Sequence, residues 1–573
     1  MTGIPATLLL EERAELAMNA VVNLADPDLG GIPFFSADLR CDPAVLLHGD
    51  WDYGSSHGRL TDACVLARRM TGASWWSDTE SRYRATLLNL LAEDGLTYRR
   101  RHPRGRWEPH ASLIDQRATL LALTSWYRDS GDETVRRAAD RQVAALHRIA
   151  VKERDVWYYP ASEYTREGWP SLHAVQLHLA PDPASFCGRL IMPLLVWHRA
   201  TGNEQALELC GWFTRLITEH SGVFLPDGSF NAALAYRSGH FHTRLGTLDG
   251  IAQYAVFTGD HALTAFVRRS FDWALSQCTA YGWTPGDLAG QRFEHETCSL
   301  VDLIGIGTTL AQAGHTGYWT VVERFLRNHL TASQLTDVDW VRSAPDRSRD
   351  IPGWLTHHRV DERVRGAFAG YGAPNDYVSD AVLGRGHTAD VQACCVGSGV
   401  RGLFTGWRAA VTGDERLVRV NLLLNRGSRL VDVLSHLPYE GRIDLNVHHD
   451  CRELRLRVPE WAGYARLAVT RRPASGPATQ ARGPEPGLWA PDGCLSLDRP
   501  RAGERITVTF PLVESTTEES AAGHTYRTHW RGDDVVGIQP EGGCRPMYGT
   551  RRPAPKAPER EHTLHIPAKE WTW

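Results

Sequence analysis

The sequence predicts an (α/α)6 barrel followed by a β-sandwich region, and two patterns carry this prediction. Through residues 1–415, apolar runs with helical spacing recur, and each ends in a short turn that contains glycine. After Gly413, segments such as RLVRVNLLLN and ERITVTFPL alternate apolar with polar residues, as β-strands do. We therefore assign residues 1–415 to a helical toroid and residues 416–573 to a β-sandwich region.

Six helical hairpins are predicted in the first part of the chain. Glycine tolerates a left-handed backbone and therefore ends a helix just past its last turn. Turn glycines of this kind stand at Gly72, Gly131, Gly202, Gly259, Gly314 and Gly413. Because single hairpins cannot bury their apolar faces, six of them either close into a toroid or stack into an open solenoid. The irregular spacing favours the toroid, in which long loops collect at one end and build a pocket.

The region after Gly413 also contains two segments rich in proline. Residues 471–487, RRPASGPATQARGPEPG, are predicted to form a loop. Residues 551–562, RRPAPKAPEREH, are predicted to run as an extended tail.

The composition is typical of a soluble globular protein, with 42% apolar residues, 23% charged residues and a net charge of -4. Without a basic excess, neither nucleic acid nor an anionic membrane is expected as a partner. The first residues, MTGIPATLLLEERAEL, lack the basic segment of a signal peptide. No segment approaches the roughly 18 uninterrupted apolar residues of a membrane helix. We interpret the protein as cytoplasmic, and a homo-oligomer is compatible with the sequence.

Eleven cysteines do not form a secreted disulfide framework, because their number is odd and the chain is long. Eight of them are scattered and are interpreted as small buried apolar residues. The other three are grouped: Cys298 lies in FEHETCSL, and Cys394 and Cys395 are adjacent in DVQACCVGSG.

Glu296 joins these three cysteines to give one carboxylate and three thiols, a donor set that suits Zn²⁺. The two groups begin the fifth and the sixth helical hairpins. Consecutive hairpins of a toroid are neighbours with their starts at the same end, so the two groups can meet. From spacing alone, a structural zinc staple and unrelated core cysteines remain alternatives.

The pairing of ETC with CC at successive hairpin starts resembles the cysteine glycosidases typified by the β-L-arabinofuranosidases of glycoside hydrolase family 127. YWTVVERFLRNHL, VNLLLNRGSRLVDVLSHLPYEG and LRVPEWAG extend this resemblance over most of residues 180–545. It implies a carbohydrate substrate and a Zn²⁺ ion bound by Glu296, Cys298, Cys394 and Cys395. It also implies that Cys394 is the nucleophile that attacks the anomeric carbon, with net retention of configuration.

A catalytic carboxylic acid is less clearly placed, because the chain departs from the family's pattern before ETC. The family has a glutamate in a glycine-rich segment, whereas this chain has the shorter YGWTPGDLAGQRFEHETC. Asp287 is the candidate for the general acid and base because it lies in the corresponding loop. Glu294, two residues before Glu296, is the second candidate.

Three further residues are predicted to bind the substrate. His240, in RSGHFHTR, falls where the family uses a histidine to bind sugar hydroxyls. Arg189, in FCGRLI, replaces the family's histidine at the third hairpin and suggests an acidic or modified sugar, unless it pairs with a local acid. Trp283 lies in a loop and offers a flat face for a sugar ring.

Two other functions remain open at the sequence level. One is another (α/α)6 carbohydrate-active enzyme, a lyase or epimerase that works through histidine and tyrosine. The other is a sugar-binding protein without catalysis that retains the zinc as a structural ion.

Overall fold

The fold combines a helical barrel with several β-sheets. The computed structural model describes residues 2–49, 51–100, 109–153, 155–170, 182–234, 240–288, 295–379, 389–483, 485, 487–549 and 553–571. None of the helices in these ranges is both long enough and apolar enough to cross a membrane.

An inner ring of six helices forms the barrel within the described residues. These helices are α2 (Gly58–Thr71), α4 (Leu113–Ser130), α6 (Ile191–Thr201), α8 (Phe241–Thr258), α10 (Thr297–Gln312) and α12 (Ala393–Ala410). Each packs against the next, and α12 packs against α2, so the ring is closed. The predicted (α/α)6 architecture is confirmed.

Six outer helices surround this ring. They are α1 (Leu10–Asn23), α3 (Ser77–Leu90), α5 (Glu133–Ile149), α7 (Glu204–Arg215), α9 (His261–Ser276) and α11 (Tyr318–Phe325). Shorter helical turns cover Pro27–Leu29, Asp52–His57, Pro183–Phe186, Gly188–Leu190, Leu216–His220, Ala232–Leu234, Leu326–Leu330, Val360–Val364, Glu460–Ala462 and Tyr464–Arg466.

Four of the predicted turn glycines end inner helices as expected. Gly72, Gly131, Gly202 and Gly259 cap α2, α4, α6 and α8 with left-handed backbone. An outer helix follows each of them within a few residues, which makes these four hairpins local in sequence.

The sixth hairpin differs from the prediction. Helix α12 ends at Ala410 and a strand follows, so the described residues directly after Gly413 do not form the predicted outer helix. Its outer partner is α1, which packs against both α12 and α2. The buried stripe of α1, which includes Ala14, Met18 and Val21, fills this position from the other end of the sequence. The N-terminal helix therefore closes the barrel.

Short strands lie among the helices and connect their ends. They are β1 (Thr2–Pro5), β2 (Ser36–Asp38), β3 (Val45–Leu47), β4 (Ala111–Ser112), β5 (Val151–Glu153), β6 (Val156–Tyr158), β7 (Glu163–Tyr164), β8 (Leu355–Thr356) and β9 (Val391–Gln392). Strands β8, β3, β2 and β9 form one small sheet in that order. Strand β4 pairs with β7 and β5 pairs with β6.

Two sheets after the barrel form a β-sandwich. One has the order β10 (Val411–Gly413), β11 (Val418–Val420), β14 (Glu453–Leu456) and β17 (Leu495–Asp498). The other has the order β12 (Val431–Ser435), β13 (Arg442–Val447), β18 (Arg505–Thr509), β15 (Ala468–Arg472) and β16 (Thr479–Arg482). Side chains from both sheets, such as Leu454 and Leu445, share one apolar core.

The remaining strands pack on the barrel. Strands β19 (Glu514–Ala521), β20 (His524–Arg531) and β21 (Asp534–Gln539) form a third sheet, and its Tyr526 and Trp530 belong to the core of the barrel. The tail that the sequence predicts as extended forms β22 (Glu559–His562), which pairs with β1.

The predicted loop 471–487 also contains β16, which pairs with β15. The side chains of β16 are mostly exposed, so the strand has no apolar alternation that a sequence pattern would reveal.

A buried ion network joins the barrel to the sandwich. Glu323 of α11 forms ion pairs with Arg327, in the turn after α11, and with Arg457, after β14. Its carboxylate also accepts a hydrogen bond from the backbone N–H of Leu423 at 3.0 Å. Burial alone would raise the pKa of Glu323, but the charges of the two arginines hold it below its usual value.

Candidate active site

The four predicted donors lie together at the starts of two neighbouring inner helices. The ligand atoms of Glu296, Cys298, Cys394 and Cys395 all lie within 4.8 Å of one another. Glu296 immediately precedes α10, Cys298 is in its first turn, and the two adjacent cysteines begin α12. The predicted convergence of these side chains is confirmed.

Backbone contacts hold the start of α10 in place. His295 and Gly372 exchange N–H···O=C hydrogen bonds of 2.7 and 3.0 Å. Two residues later, the Thr297 hydroxyl donates to the carbonyl of Ala369 at 2.8 Å.

The start of α12 is held by the small sheet. Strand β9 pairs with β2 through Val391 and Ala37, and the next N–H, that of Ala393, donates to the carbonyl of Phe35 at 2.7 Å. A strand that runs directly into a helix leaves little freedom at Cys394 and Cys395, which follow.

The two adjacent thiols differ in exposure. Cys394 is 8% exposed, whereas Cys395 and Cys298 are 0% exposed. The Cys395 Sγ lies 3.6 Å from the Cys298 Sγ, and the Cys394 Sγ lies 3.4 Å from the Gln392 Oε1. Cys394 is therefore the thiol of this cluster that solvent reaches.

Hydrogen bonds within the cluster favour one thiolate. Those from Cys298 and Cys395 hold the pKa of Cys394 well below its usual value, and the Arg59 charge acts in the same direction. Burial raises the pKa of Cys395 well above its usual value. Of the two adjacent thiols, Cys394 is therefore the one that ionises more readily.

A buried basic layer lies against the donors. Arg59 NH1 donates to the Cys298 Sγ at 3.2 Å, and its NH2 lies 3.3 Å from the His242 Nε2. Burial alone would lower the pKa of Arg59, but the charges of Cys298, Cys394 and Glu296 raise it. The guanidinium therefore stays charged beside the thiols.

Arg189 reaches the same histidine. Its NH2 lies 2.6 Å from the His242 Nε2, while the His242 Nδ1 lies 2.5 Å from the Asp302 Oδ2. Because guanidinium N–H groups only donate, Nε2 is the acceptor and the ring proton lies on Nδ1. Burial, together with the charges of Arg189 and Arg59, holds the pKa of His242 well below its usual value, so the ring is neutral.

Arg59 and His242 are functional residues that the sequence did not predict. A signal for Arg59 was present, because Gly-Arg-Leu occurs both at 58–60 and at 188–190, at the starts of the first and third inner helices. His242 lies two residues after the predicted His240, and a choice between them requires the direction of each side chain.

His240 contacts a donor of the cluster. Its Nε2 is hydrogen-bonded to the Glu296 Oε2, and its side chain is 35% exposed. A backbone bridge joins His240 to Asp287, and the N–H of Phe241 donates to the carbonyl of Gly286 at 3.1 Å. The structure therefore brings the predicted Asp287 beside His240, whereas Glu294 lies outside the described residues.

The other two predicted substrate residues are buried. Trp283 is 2% exposed and belongs to the core of the barrel, so its ring offers no free face for a sugar. Arg189 is 4% exposed and is hydrogen-bonded to His242, not directly to an acid. Neither location supports direct contact with a substrate.

The donor set fits a zinc ion. In a tetrahedral site with Zn–S bonds of about 2.3 Å, two sulfurs lie about 3.8 Å apart, close to the observed 3.6 Å between Cys298 and Cys395. Three thiolates and a carboxylate exceed the charge of Zn²⁺ by two negative charges. The neighbouring Arg59 and Arg189 supply two positive charges that balance this excess.

Comparison with solved structures identifies the architecture. No protein-family model and no curated protein sequence matches the chain. A GH127 β-L-arabinofuranosidase from Geobacillus stearothermophilus T6 superposes with a TM-score of 0.58 and 15% sequence identity over 93% of this chain and 86% of that one.

Two further structures agree with this match. One, a GH127 β-arabinofuranosidase, has a TM-score of 0.57 and 15% sequence identity over 91% of this chain and 78% of that one. The other, a glycoside hydrolase, has a TM-score of 0.56 and 14% sequence identity over 89% of this chain and 84% of that one. The predicted resemblance to glycoside hydrolase family 127 is confirmed for the fold.

Proposed function

We propose that this chain is a retaining glycoside hydrolase of the β-L-arabinofuranosidase type that uses Cys394 as its nucleophile. The observation that carries the proposal is the convergence of one carboxylate and three thiols within 4.8 Å at two inner-helix starts. The shared fold with GH127 β-L-arabinofuranosidases supports the substrate class.

Glu296, Cys298, Cys394 and Cys395 would hold the zinc ion. When bound there, zinc keeps its thiolate ligands ionised near neutral pH. The greater exposure of Cys394 supports its role as nucleophile, since a sugar can approach it while Cys395 lies behind. Arg59 holds Cys298 and keeps a positive charge beside the attacking sulfur.

The reaction proceeds in two displacements. The Cys394 thiolate attacks the anomeric carbon, so a C–S bond forms while the bond to the leaving oxygen breaks, and a carboxylic acid gives that oxygen its proton. The resulting carboxylate then takes a proton from water, the water oxygen attacks the same carbon, and the C–S bond breaks. Two inversions give net retention.

Asp287 is the proposed acid and base, and Glu294 is the alternative. The backbone bridge to His240 supports Asp287, because His240 contacts the donor Glu296. His240 is partly exposed and is the proposed ligand of the sugar hydroxyls. We assign Arg189 the role of orienting His242, in place of contact with an acidic sugar.

Hydrolysis of p-nitrophenyl β-L-arabinofuranoside by the zinc-loaded protein tests this function. We expect turnover, together with a pentosyl adduct on the peptide that contains Cys394. Cys394→Ser should abolish turnover, whereas Cys395→Ser should mainly reduce the zinc content, which is measured in parallel for both variants. Sugar binding without turnover or adduct would instead indicate a structural zinc in a binding protein.

Leaving groups of different acidity test the acid. Asp287→Asn should slow aryl arabinofuranosides with poor leaving groups far more than the p-nitrophenyl compound, since an acidic phenol barely needs protonation. If Asp287→Asn shows no such trend and Glu294→Gln does, the second candidate is the acid. A product with a new double bond or an inverted centre, formed without an adduct, would favour the lyase or epimerase alternative.

A further inference from the structure

A polar cavity of about 300 Å³ lies inside the barrel behind the donor cluster. Arg117 of α4, Asp302 of α10 and Ser398 of α12 line its inner end. Exposed Arg199 of α6 and Gln312 of α10 line its mouth.

The mouth opens at the end of the barrel opposite to the donors. Helix α10 starts beside Cys298 and ends at Gln312. The cavity follows this helix from Asp302 to Gln312, a length of about 15 Å at 1.5 Å per residue. The cavity is therefore separate from the surface that a sugar would use to reach Cys394.

The charges that line this cavity do not balance. Its arginines are Arg117, Arg199, Arg401 and Arg408, and its acids are Asp249 and Asp302. The acids already have partners: Asp302 is hydrogen-bonded to His242, and Asp249 accepts a hydrogen bond from Gln253 at 3.1 Å.

The partner of Arg401 lies outside this set of lining residues. Arg401 forms an ion pair with Asp62 of α2 at 2.7 Å. Within the described residues, the two lining acids are engaged by His242 and Gln253, and neither forms an ion pair with Arg117 or Arg199.

The environment of Arg117 gives the strongest indication that this cavity binds a ligand. It is 5% exposed, its Nε is buried without a hydrogen-bond partner, and no hydrogen bond or ion pair links it to another described residue. A buried guanidinium without partners is costly, because its lost hydration is not replaced. Burial and the charges of Arg189 and Arg59 hold its pKa well below its usual value.

Two other groups of the cavity can also donate. The Thr308 hydroxyl is buried without a hydrogen-bond partner. Arg199, at the mouth, makes no hydrogen bond or ion pair with the residues that the structure describes. Burial and the charges of Arg128, Arg199 and Arg401 lower the pKa of Arg408, and the charge of Arg401 also acts to lower the pKa of Arg117.

We propose that this axial cavity binds a small polyvalent oxyanion, held by Arg117 at its inner end, by Thr308 farther along α10 and by Arg199 at its mouth. Planar guanidinium groups bind phosphate and carboxylate oxygens alike, often with two parallel hydrogen bonds. A volume of 300 Å³ accommodates a pyrophosphate or a citrate but not a macromolecule.

Calorimetric titration of the zinc-loaded full-length protein with inorganic phosphate, pyrophosphate and citrate tests the site. We expect saturable binding of one anion per chain. Arg199→Ala and Arg117→Gln should each weaken it about tenfold or more, because a hydrogen bond to a charged group contributes about 1.5–3 kcal/mol. Arg137→Ala, which removes an exposed arginine of the outer helix α5, should leave the affinity unchanged.

Crystals soaked in tungstate locate the anion directly, and we expect an anomalous peak within hydrogen-bond distance of Arg117. Tighter binding of pyrophosphate than of citrate assigns the ligand to the phosphates, and the reverse order assigns it to the carboxylates. Arg199 is exposed, so its variant carries the test even if Arg117→Gln does not fold. Absence of saturable binding for all three anions, or equal affinity in the wild type and Arg199→Ala, overturns the proposal.

Discussion

Adjacent cysteines at a helix start can reach one site yet have different tasks. Successive residues of a helix point about 100° apart, so Cys394 and Cys395 cannot face the same direction. The two thiols accordingly differ in solvent exposure, since Cys394 is 8% exposed and Cys395 is fully buried. At the residue scale, the positive charge beside these thiols comes from Arg59, whose guanidinium contacts Cys298.

Arg59→Gln should weaken zinc binding. The variant removes the positive charge beside Cys298, and loss of a group that supports a metal ligand typically costs 10- to 100-fold in affinity. Competition with a chromogenic chelator measures the zinc dissociation constant. Arg137→Gln is the matched control, and an affinity in Arg59→Gln equal to that of this control would contradict the role of Arg59.

The two carboxylates around His48 lead us to expect that the free energy of unfolding falls in alkaline solution. Its ring lies between Asp52, at 2.8 Å from Nδ1, and Asp26, at 3.0 Å from Nε2. Burial acts to lower the pKa of His48, but these two carboxylates outweigh it and raise the pKa to about 9. A folded-state pKa above the unfolded value of about 6.5 contributes stability that is complete below pH 6.5 and lost as the pH rises to about 9.

The shift corresponds to about 3 kcal/mol between these pH values. We therefore expect the Tm of the wild type to fall more between pH 6.5 and pH 9 than the Tm of His48→Gln, in which this proton is absent. Parallel Tm profiles of the two proteins would rule out His48 as the source. Burial lowers the pKa of Arg363, near Asp26, to about 10, which is above this window, and Arg99, near Asp52, stays charged as arginine does in proteins.

At the scale of helices, the site depends on how closely α2 and α12 approach. A Cβ atom added at Gly397 of α12 would lie 2.8 Å from the backbone carbonyl carbon of Arg59 in α2. Such a distance is shorter than any ordinary contact, so one helix must move. Glycine at this crossing keeps Arg59 beside the thiols at the start of α12.

Gly397→Ala should therefore separate the two helices and affect both stability and the metal site. Overpacking of this kind typically costs 1–3 kcal/mol, so we expect a lower Tm and weaker zinc binding together. Gly317→Ala is the control, because its backbone is right-handed helical and no atom lies within 4 Å of the added Cβ. Unchanged zinc affinity in a folded Gly397→Ala protein would show that the crossing does not position the site.

The elements that the sequence predicts well are local ones. Gly72 and Gly131 end inner helices because a left-handed residue after a helical run is a property of a few neighbouring positions. The ETC and CC groups were located for a similar reason, since both stand at helix starts. The outer partner of α12 was missed because α1 arrives from the opposite end of the chain, which no local pattern reveals.

Side-chain direction is the other limit of prediction from the sequence. Trp283 has the sequence context of a loop, yet its ring is buried in the barrel core. Arg189 stands at the predicted helix start, but only the structure shows that it reaches His242. Burial and direction depend on the packing of distant elements, so the sequence places these residues near the site without assigning their contacts.

At the scale of the whole molecule, the barrel and the sandwich are joined by charge as well as by apolar packing. Glu323, Arg327 and Arg457 are buried together where α11 meets the strands, and Arg327 also pairs with Asp534 of β21 at 3.3 Å. One carboxylate therefore faces two guanidinium groups that belong to different parts of the chain. A buried network of this kind stabilises only while every charge has its partner.

Glu323→Gln should destabilise the junction strongly. The substitution keeps the size of the side chain but leaves Arg327 and Arg457 without the carboxylate between them, and breaking a buried pair typically costs 3–5 kcal/mol. We expect a marked fall in Tm and faster proteolysis between α12 and β11, because the sandwich separates from the barrel more often. The control is Glu518→Gln in the exposed pair with Arg527, where a loss below about 1 kcal/mol is expected. If Glu323→Gln unfolds at the same temperature as this control, the network does not hold the two parts together, and the apolar contacts of the third sheet with the barrel must account for their association.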